Sequence, residues 1–470
     1  MTTTATIDSS DGKSTKKSLK APPRLSGGLP LLGHTVGFIR DTVGLLERAK
    51  RECGDVAAFH VVGKDMVLLT GPEHHEAFFR TADEVLSPSE AYKMMVPVFG
   101  KGVAYDNPPK RMMEQLHMLL PALQDKRMRT YGKVVGDETE AQLATWGEKG
   151  TIDFYEFCQT LTNFTSAACL LGPEFRKQLT GEFAQVYHDL ERSIVPIAYI
   201  SPNLPIPAFK KRDRARARLG EMVSEIVENR KKSGFVGEDF LQTLMEARYE
   251  DGKSLTDFEI TGLLIAAMFA GHHTSSVTTA WTLFELLQHP EHLKKVIEEV
   301  DRVVGEDPQL TYPSLRKLEY TEWAVKEALR LHPPLFILLR AAQSDTEING
   351  YEIKKGTWCV VSPMLAHRDD RFFKGSDAFD PTRYGPGRAE DKKPFTYIAF
   401  GGGRHKCMGN AFAILQIKTI VAILLSRYEF ELAGDEIIPD FQGLVIGPRM
   451  PCRVRYRARQ RASAEGGKSA

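Results

Sequence analysis

The chain has 470 residues, a formal net charge of +1, 42% apolar residues and 26% charged residues. This balance is typical of a soluble globular protein with a large core, and it excludes the strongly basic face expected of a nucleic-acid-binding protein. Six cysteines lie far apart without a CxxC pair, so the sequence contains no disulfide framework, zinc motif or iron–sulfur motif. We expect free thiols in a reducing, cytoplasmic compartment.

The first predicted elements are irregular or short. Residues 1–20 are rich in Thr, Ser and Lys without an apolar run, which predicts a disordered tail rather than a signal peptide or membrane anchor. Residues 21–34 are rich in Pro and Gly and predict an extended lead. Two short β-type runs follow, at 56–62 and 66–69.

Residues 109–331 have a predominantly helical pattern of apolar spacing. The clearest helix begins after Thr256, an N-cap candidate with Glu259 in the capping-box position, and continues towards Leu287. It should be roughly 45–50 Å long and, because residues 263–270 are apolar on nearly all sides, it should cross the middle of the protein.

The last third has a different character. Asn349-Gly350 between alternating residues predicts a hairpin, residues 368–396 are irregular, and residues 411–425 predict an apolar helix. The apolar stretches at 263–270 and 420–425 are too short to span a bilayer, so no transmembrane segment is expected. We predict one mainly α domain with a small β-rich part over 21–458, followed by a polar tail or linker, 459–470.

A glycine-rich loop with one cysteine lies at residues 400–409. Glycines such as Gly403 permit close backbone approach and positive φ angles. Cys407 stands just before a helix start, where the helix dipole should lower the thiol pKa. On its own, the loop is more typical of a buried structural cysteine, since most buried cysteines are inert.

This loop resembles the haem-binding signature of the cytochrome P-450 superfamily in Phe400, Gly403, Cys407 and Gly409. Two further motifs have the same order and spacing as in that superfamily. Glu327 and Arg330 look like its Glu-x-x-Arg pair, which by spacing alone would be a surface pair, and Arg383 looks like the third member of its buried triad. The resemblance covers residues 22–456 and implies a single-domain cytochrome P-450 fold with Cys407 as the axial ligand of haem b.

The long helix contains Ala270-Gly271-His272-His273-Thr274. A structural interpretation is a polar kink whose hydroxyls bond to carbonyls one turn earlier. The resemblance instead implies that Gly271 lets the backbone approach bound O2, that Thr274 hydrogen-bonds the distal oxygen, and that His273 relays protons as the second catalytic residue. His272 points some 100° away and is expected to be packed or solvated.

The combination of His273 with His405, where the superfamily has arginine, resembles the sterol 14α-demethylase family of soluble bacterial type. That family's propionate-binding arginine matches Arg340, while the basic residue of close relatives falls at Met113, with Arg111 or His117 as possible replacements. The resemblance implies haem contacts from residues around the loop and a sterol pocket formed by several segments. The haem-binding set is Cys407, His405, Arg340, Tyr92 and Gly403, and the substrate-binding set is Tyr92, Met94, Phe99, Tyr105, Phe269, Ala270, Leu335, Ile337 and Leu444.

The implied reaction removes the 14α-methyl group of a sterol in three O2-dependent oxidations. Electrons would come from NAD(P)H through a ferredoxin reductase and a ferredoxin to a monomeric enzyme. Three alternatives remain open: a P-450 that hydroxylates another polycyclic terpenoid, a non-catalytic haem-binding protein, and a thiolate-haem isomerase or dehydratase. The natural sterol and its C4 methylation are not determined by the sequence.

Overall fold

The structure is a computed structural model, and it describes residues 19–61, 63–178, 182–191, 198, 201–441, 443 and 445–460. Apart from residues 19, 20, 459 and 460, the two predicted tails lie outside the described residues. Leu444, predicted to bind substrate, lies outside them too.

Helices make up most of the described part of the chain. In chain order they are α1 Thr35–Arg40, α2 Thr42–Cys53, α3 Pro72–Arg80, α4 Val96–Phe99, α5 Pro109–His117, α6 Asp125–Leu143, α7 Phe154–Ser166, α8 Pro173–Gln178, α9 Glu182–Glu191, α10 Pro207–Ser233, α11 Phe240–Glu246, α12 Asp257–Gln288, α13 Pro290–Glu306, α14 Tyr312–Leu315, α15 Glu319–Leu331, α16 Pro363–His367 and α17 Asn410–Arg427.

The strands form a small β-rich part, as predicted. They are β1 Val56–Val61, β2 Lys64–Leu69, β3 Leu86–Ser87, β4 Lys149–Asp153, β5 Leu338–Ala342, β6 Thr346–Ile348, β7 Tyr351–Ile353, β8 Trp358–Val361, β9 Tyr428–Leu432, β10 Pro439–Asp440, β11 Gly447–Pro448 and β12 Arg453–Ala458. The main sheet has the order β1-β2-β8-β5-β3, in which only β2 and β8 are parallel. A second sheet has the order β4-β12-β9.

The central helix α12 begins where the sequence predicted. Thr256 Oγ1 accepts a hydrogen bond from the Glu259 N–H at 3.2 Å, and the Glu259 carboxylate accepts from the Thr256 N–H at 2.8 Å. This capping box satisfies two backbone donors that the first turn leaves unpaired. Helix α12 packs against α7, α10, α15 and α17 and therefore forms the axis of the fold.

Two other local predictions are confirmed. Asn349 and Gly350 have φ angles of 47° and 86°, as the turn between β6 and β7 requires. The proline-rich lead runs along the sheet without helix until Thr35, with isolated bridges from Arg24 to Ala58 and from Gly33 to Val61.

Helix α17 is the one helix among the described residues that is long and apolar enough to cross a membrane. However, 67% of it is buried inside the protein, as in the core helix of a soluble fold. Its N-terminus lies directly after the cysteine loop.

Candidate functional site

The cysteine loop is held against the end of α3. The N–H of Cys407 donates to the Phe400 carbonyl at 2.8 Å, which closes the loop. Gly403 has a φ of +60°, and a Cβ there would lie 2.7 Å from the carbonyl carbon of Phe79 and nearer still to its oxygen. A Cβ on Gly402 would lie 3.0 Å from the Phe79 ring. Glycine is required at 403 by both its backbone angle and this close approach.

The thiol of Cys407 has accessible surface although most of its surroundings are protein, so it lines an internal space. Backbone N–H groups of Gly409 and Asn410 point at the sulfur and, with Lys406, lower the pKa of the thiol. Burial has the larger effect, and the pKa of Cys407 is raised overall. The expectation of a lowered pKa was therefore wrong for the protein alone, because desolvation outweighs the helix start.

Arg340 lies next to the aromatic side chains expected beside it. Its Nη1 donates to the carbonyls of Phe78 (2.9 Å) and Thr81 (3.3 Å), and burial lowers its pKa, an effect that neighbouring Tyr92 and Tyr105 oppose. The two tyrosine rings stack with centroids 4.9 Å apart. Burial raises the pKa of Tyr105, which the positive charge of Arg340 opposes and the nearby Cys407 sulfur reinforces. Arg340, Tyr92, Tyr105 and Cys407 thus border one region.

His405, which stands where the superfamily has arginine, is paired with Asp83. Its Nε2 lies 2.8 and 2.9 Å from the two carboxylate oxygens of this buried residue. A haem contact by His405 would have to use Nδ1 and stays a prediction. No local pattern in the sequence indicated Asp83, which follows α3 and lies 322 positions before its partner.

Arg111 and His117 were the possible replacements for the basic residue that would otherwise fall at Met113. Arg111 lies over the Tyr249 ring and pairs with Glu114 at 3.1 Å, and His117 is exposed. A propionate contact by either residue stays a prediction.

Glu327, Arg330 and Arg383 form the triad that the resemblance implied, and all three are fully buried. Glu327 accepts from Arg330 Nε and Nη2 at 2.9 Å each and from Arg383 Nε at 2.8 Å. Tyr384 donates to the same carboxylate at 2.9 Å, and Arg330 also donates to the His367 carbonyl. The surface-pair interpretation drawn from spacing alone was wrong, because the irregular segment 368–396 covers α15 here.

One face of α12 is accessible in the middle of the protein. Ala270 is exposed, and Ala266, Ala267, His273 and Thr274 are partly so. These positions recur at helical spacing and face one internal space. In contrast, a Cβ on Gly271 would point to Leu170 (3.3 Å) and Ser166 (3.5 Å). Its small size therefore serves the packing of α12 on the turn after α7.

Thr274 Oγ1 donates to the Ala270 carbonyl at 2.6 Å. The back-bond that the structural interpretation proposed is therefore present. It does not exclude a functional role, because a hydroxyl that donates its hydrogen keeps two acceptor lone pairs. Thr274 can accept a hydrogen bond from a group on the accessible face.

His273 meets a carboxylate that the sequence did not reveal. Its Nε2 lies 3.0 Å from Glu191 Oε1 of α9, and its ring lies 5.7 Å from the Phe269 ring. His272 is buried and its Nδ1 lies 3.2 Å from Thr162 Oγ1, so it is packed, as expected. Burial holds the pKa of His272 well below its usual value, and its imidazole is neutral at physiological pH.

The predicted substrate residues come from several segments of the chain. The Phe99 ring lies 6.4 Å from the Phe269 ring, while Leu335 is partly buried before β5. Ile337 packs against the cluster on the main sheet, and Met94 is only 4% exposed within the helical core. Because Phe99 and Phe269 in the same cluster are nearly as buried, this exposure does not decide the matter, and a substrate contact by Met94 stays a prediction.

Arg216 is a further residue that sequence reasoning missed. Although its neighbours along α10 are largely basic, it is buried and donates to the carbonyls of Phe99 (3.0 Å) and Phe258 (3.1 Å). Burial lowers the pKa of Arg216 to about 10. It ties the segment of Phe99 to α12 and so helps to shape the wall.

These residues fit an iron porphyrin. Two backbone N–H groups are aimed at the cysteine sulfur, a face of small residues on α12 is accessible inside the protein, and a buried arginine stands beside two tyrosines. Thiolate ligation and propionate binding need such an arrangement.

Comparison with known proteins agrees with this geometry. The family model described as Cytochrome P450 matches residues 22–451. A solved structure of a cyanobacterial protein bound to retinoic acid superposes with a TM-score of 0.81, covering 94% of this chain and all of that one at 23% identity. At that identity, the likeness supports the fold alone.

Several curated relatives are more similar in sequence. A protein of Mycolicibacterium vanbaalenii named sterol 14alpha-demethylase is 43% identical, covering 94% of this chain and 99% of its own. A protein of Arabidopsis thaliana named sterol 14-demethylase is 38% identical, with 95% and 93% covered. One of Bos taurus named lanosterol 14-alpha demethylase is 37% identical, with 94% and 89% covered.

Proposed function

This chain belongs to the cytochrome P450 family, and from that membership we propose that it removes the 14α-methyl group of a sterol. The observation that carries the proposal is that aromatic side chains lie both beside the Cys407 sulfur and beside the ionisable pair of His273 and Glu191. The nearby Cys407 sulfur helps to raise the pKa of Tyr105, and the Tyr105 ring stacks on Tyr92. On the other side Phe269 contacts both Phe99 and His273. A rigid apolar substrate suits these residues, because the predicted substrate lining is mostly aromatic and aliphatic and its polar groups are few.

The haem bound to Cys407 supplies O2 activation, with thiolate electron donation that favours O–O cleavage. The protein's own contribution is to manage protons on the α12 side. Glu191 and His273 form an ion-pair contact at 3.0 Å and present ionisable groups between α9 and the accessible face. Thr274, whose hydrogen is donated to Ala270, acts as an acceptor for a water or hydroxyl on that face.

On the cysteine side, the loop is kept rigid. The buried triad of Glu327, Arg330 and Arg383 fixes the segment that precedes the loop, since Arg330 and Arg383 both donate to the Ala378 carbonyl. Gly403 lets the loop lie against Phe79, and we propose that Arg340 and Tyr92 hold the propionates, with His405 contributing through Nδ1.

Monooxygenation of this kind requires a redox partner, and we propose a ferredoxin reduced by NAD(P)H through its reductase. Support comes from exposed basic side chains near the cysteine loop: Arg80, Lys392, Lys393, Arg404 and Lys406. Such a face favours encounter with an acidic protein. A cytoplasmic location agrees with the six cysteines, all described and all unpaired.

The test is turnover of 14α-methyl sterols by the haem-loaded protein with a surrogate ferredoxin and reductase, with products identified by mass spectrometry. We expect formate and a Δ14 sterol in equal amounts, and neither product from Cys407→Ser. Other polycyclic terpenoids serve as competing substrates. Hydroxylation of one of these without cleavage of any sterol would refute the demethylase assignment and leave a monooxygenase of another specificity.

A further inference from the structure

Three side chains with metal-binding atoms converge between α9 and α12, away from the cysteine loop. They are Glu191 of α9 and the neighbouring His272 and His273 of α12. Glu191 Oε1 lies 3.0 Å from His273 Nε2 and 3.8 Å from His272 Nε2, and the three ligand atoms all lie within 4.8 Å of one another.

The hydrogen positions leave this cluster with unmatched acceptors. Thr162 Oγ1 donates its hydrogen to the Cys158 carbonyl at 2.8 Å, so it accepts from His272 Nδ1. In the neutral imidazole, Nε2 of His272 then carries a lone pair. That lone pair faces Glu191 Oε1, a buried oxygen to which the described residues donate no hydrogen bond of ordinary geometry, although the hydroxyl of Tyr187 lies near the same carboxylate. Two buried acceptors that face each other are unfavourable unless a cation or a donor lies between them.

The spacing of the cluster suits a zinc ion. Zinc binds imidazole nitrogen and carboxylate oxygen at about 2.0–2.2 Å, so two ligands of a tetrahedral site lie roughly 3.3 Å apart. The separations of 3.0 and 3.8 Å from Glu191 Oε1 bracket that value. Two histidines and one carboxylate leave the fourth position for water, as in known zinc sites. An approach exists because the His273 side chain is 27% exposed.

We propose that Glu191, His272 and His273 form a zinc-binding site on the distal side of the protein. The bound ion would be coordinated by Glu191 and His273, the two side chains that carry protons in the proposed function. Zinc should therefore slow substrate oxidation without displacing the sterol, and this consequence, unlike the binding itself, rests on the proposed function.

Binding is tested on the haem-loaded, full-length protein without an affinity tag, after treatment with a chelator. Isothermal titration with ZnCl2 should show one equivalent bound, confirmed by metal analysis after dialysis. His272→Gln and, separately, Glu191→Gln should weaken binding by at least ~tenfold, since even the loss of an outer-shell partner costs that much. His60→Gln, which removes a partly exposed histidine on β1, should bind zinc as the wild type does. Absence of binding, or unchanged affinity in both site variants, would overturn the proposal.

Inhibition of sterol turnover by zinc is the second measurement, and it distinguishes failure of the metal site from failure of the proposed function. Zinc should lower sterol turnover reversibly, with recovery on adding EDTA, and leave the sterol-induced spin shift unchanged. In His272→Gln the fractional inhibition should fall, measured against that variant's own rate, while cytochrome c reduction by the ferredoxin system controls for zinc acting on the partners. Zinc binding with no sterol turnover would refute the proposed function alone. Turnover with no zinc binding would refute the metal site alone.

Discussion

Replacing Gly403 by alanine tests the geometry of the cysteine loop most directly. An L-residue at a φ of +60° costs about 1–2 kcal/mol. The added Cβ would also meet the backbone of Phe79, with the carbonyl carbon at 2.7 Å, inside the 3.0 Å that real Cβ atoms keep. Backbone atoms cannot rotate away as a side chain does, so relief requires the loop to move. Such overpacking costs about 1–3 kcal/mol more.

The expected sum is a loss of about 2–5 kcal/mol in the free energy of unfolding, together with a displaced sulfur. A shift on the order of 1 Å at a catalytic group lowers rates by about a hundredfold. The assays are denaturant unfolding, retained haem per protein and the carbon-monoxide difference spectrum, in which the red-shifted thiolate band should diminish.

Gly409→Ala is the matched control from the same loop. Its φ is −80°, and the nearest atom to an added Cβ is Cys407 Sγ at 3.9 Å, an ordinary contact. Unfolding of this variant should match the wild type within about 0.5 kcal/mol. If Gly403→Ala were as stable and as spectrally intact as Gly409→Ala, the argument from close approach would be refuted.

The remaining predictions concern oxygen activation, the triad and acid stability. Thr274→Ala should keep the sterol-induced spin shift, yet give less product and more peroxide per electron, because the acceptor on the α12 face is lost. Glu327→Gln leaves the buried Arg330 without its carboxylate and Arg383 with Glu390 alone. It should lose about 3–5 kcal/mol of unfolding free energy and much of its haem, whereas Glu319→Gln, at an exposed position on the same helix, should lose at most about 1 kcal/mol. Burial lowers the pKa of His75 from 6.5 to about 4, so its contribution is present above pH 6.5 and is lost as the pH falls towards 4. Denaturation at pH 7 and pH 4.5 should show a smaller acid loss, by up to roughly 3 kcal/mol, in His75→Gln than in wild type or His74→Gln.

Each of these has a contrary result. Unchanged coupling in Thr274→Ala would make the hydroxyl structural and place proton delivery elsewhere. Equal haem retention in Glu327→Gln and Glu319→Gln would contradict the role assigned to the triad. An acid loss in His75→Gln as large as that of the wild type would show that other groups cause it.

The sequence identified individual site residues but not their partners from distant segments. His273 was identified from a run of residues in one helix, but its partner Glu191 stands at the end of another helix with no motif around it. The same holds for Asp83 beside His405.

The sequence by itself determined what depends on neighbouring residues. The capping box of α12, the Asn349-Gly350 turn, the amphipathic helices and the contiguous motif around Cys407 could be read directly, because their hydrogen bonds and backbone angles act over a few positions. Tertiary structure alone decided the state of the ionisable groups. Tertiary packing buries Glu327 and Arg330, which spacing alone predicted to be a surface pair. Burial also raises the pKa of Cys407, although the helix start by itself would lower it. Desolvation and long-range pairing are properties of the packed molecule, since each depends on which distant segment covers a side chain.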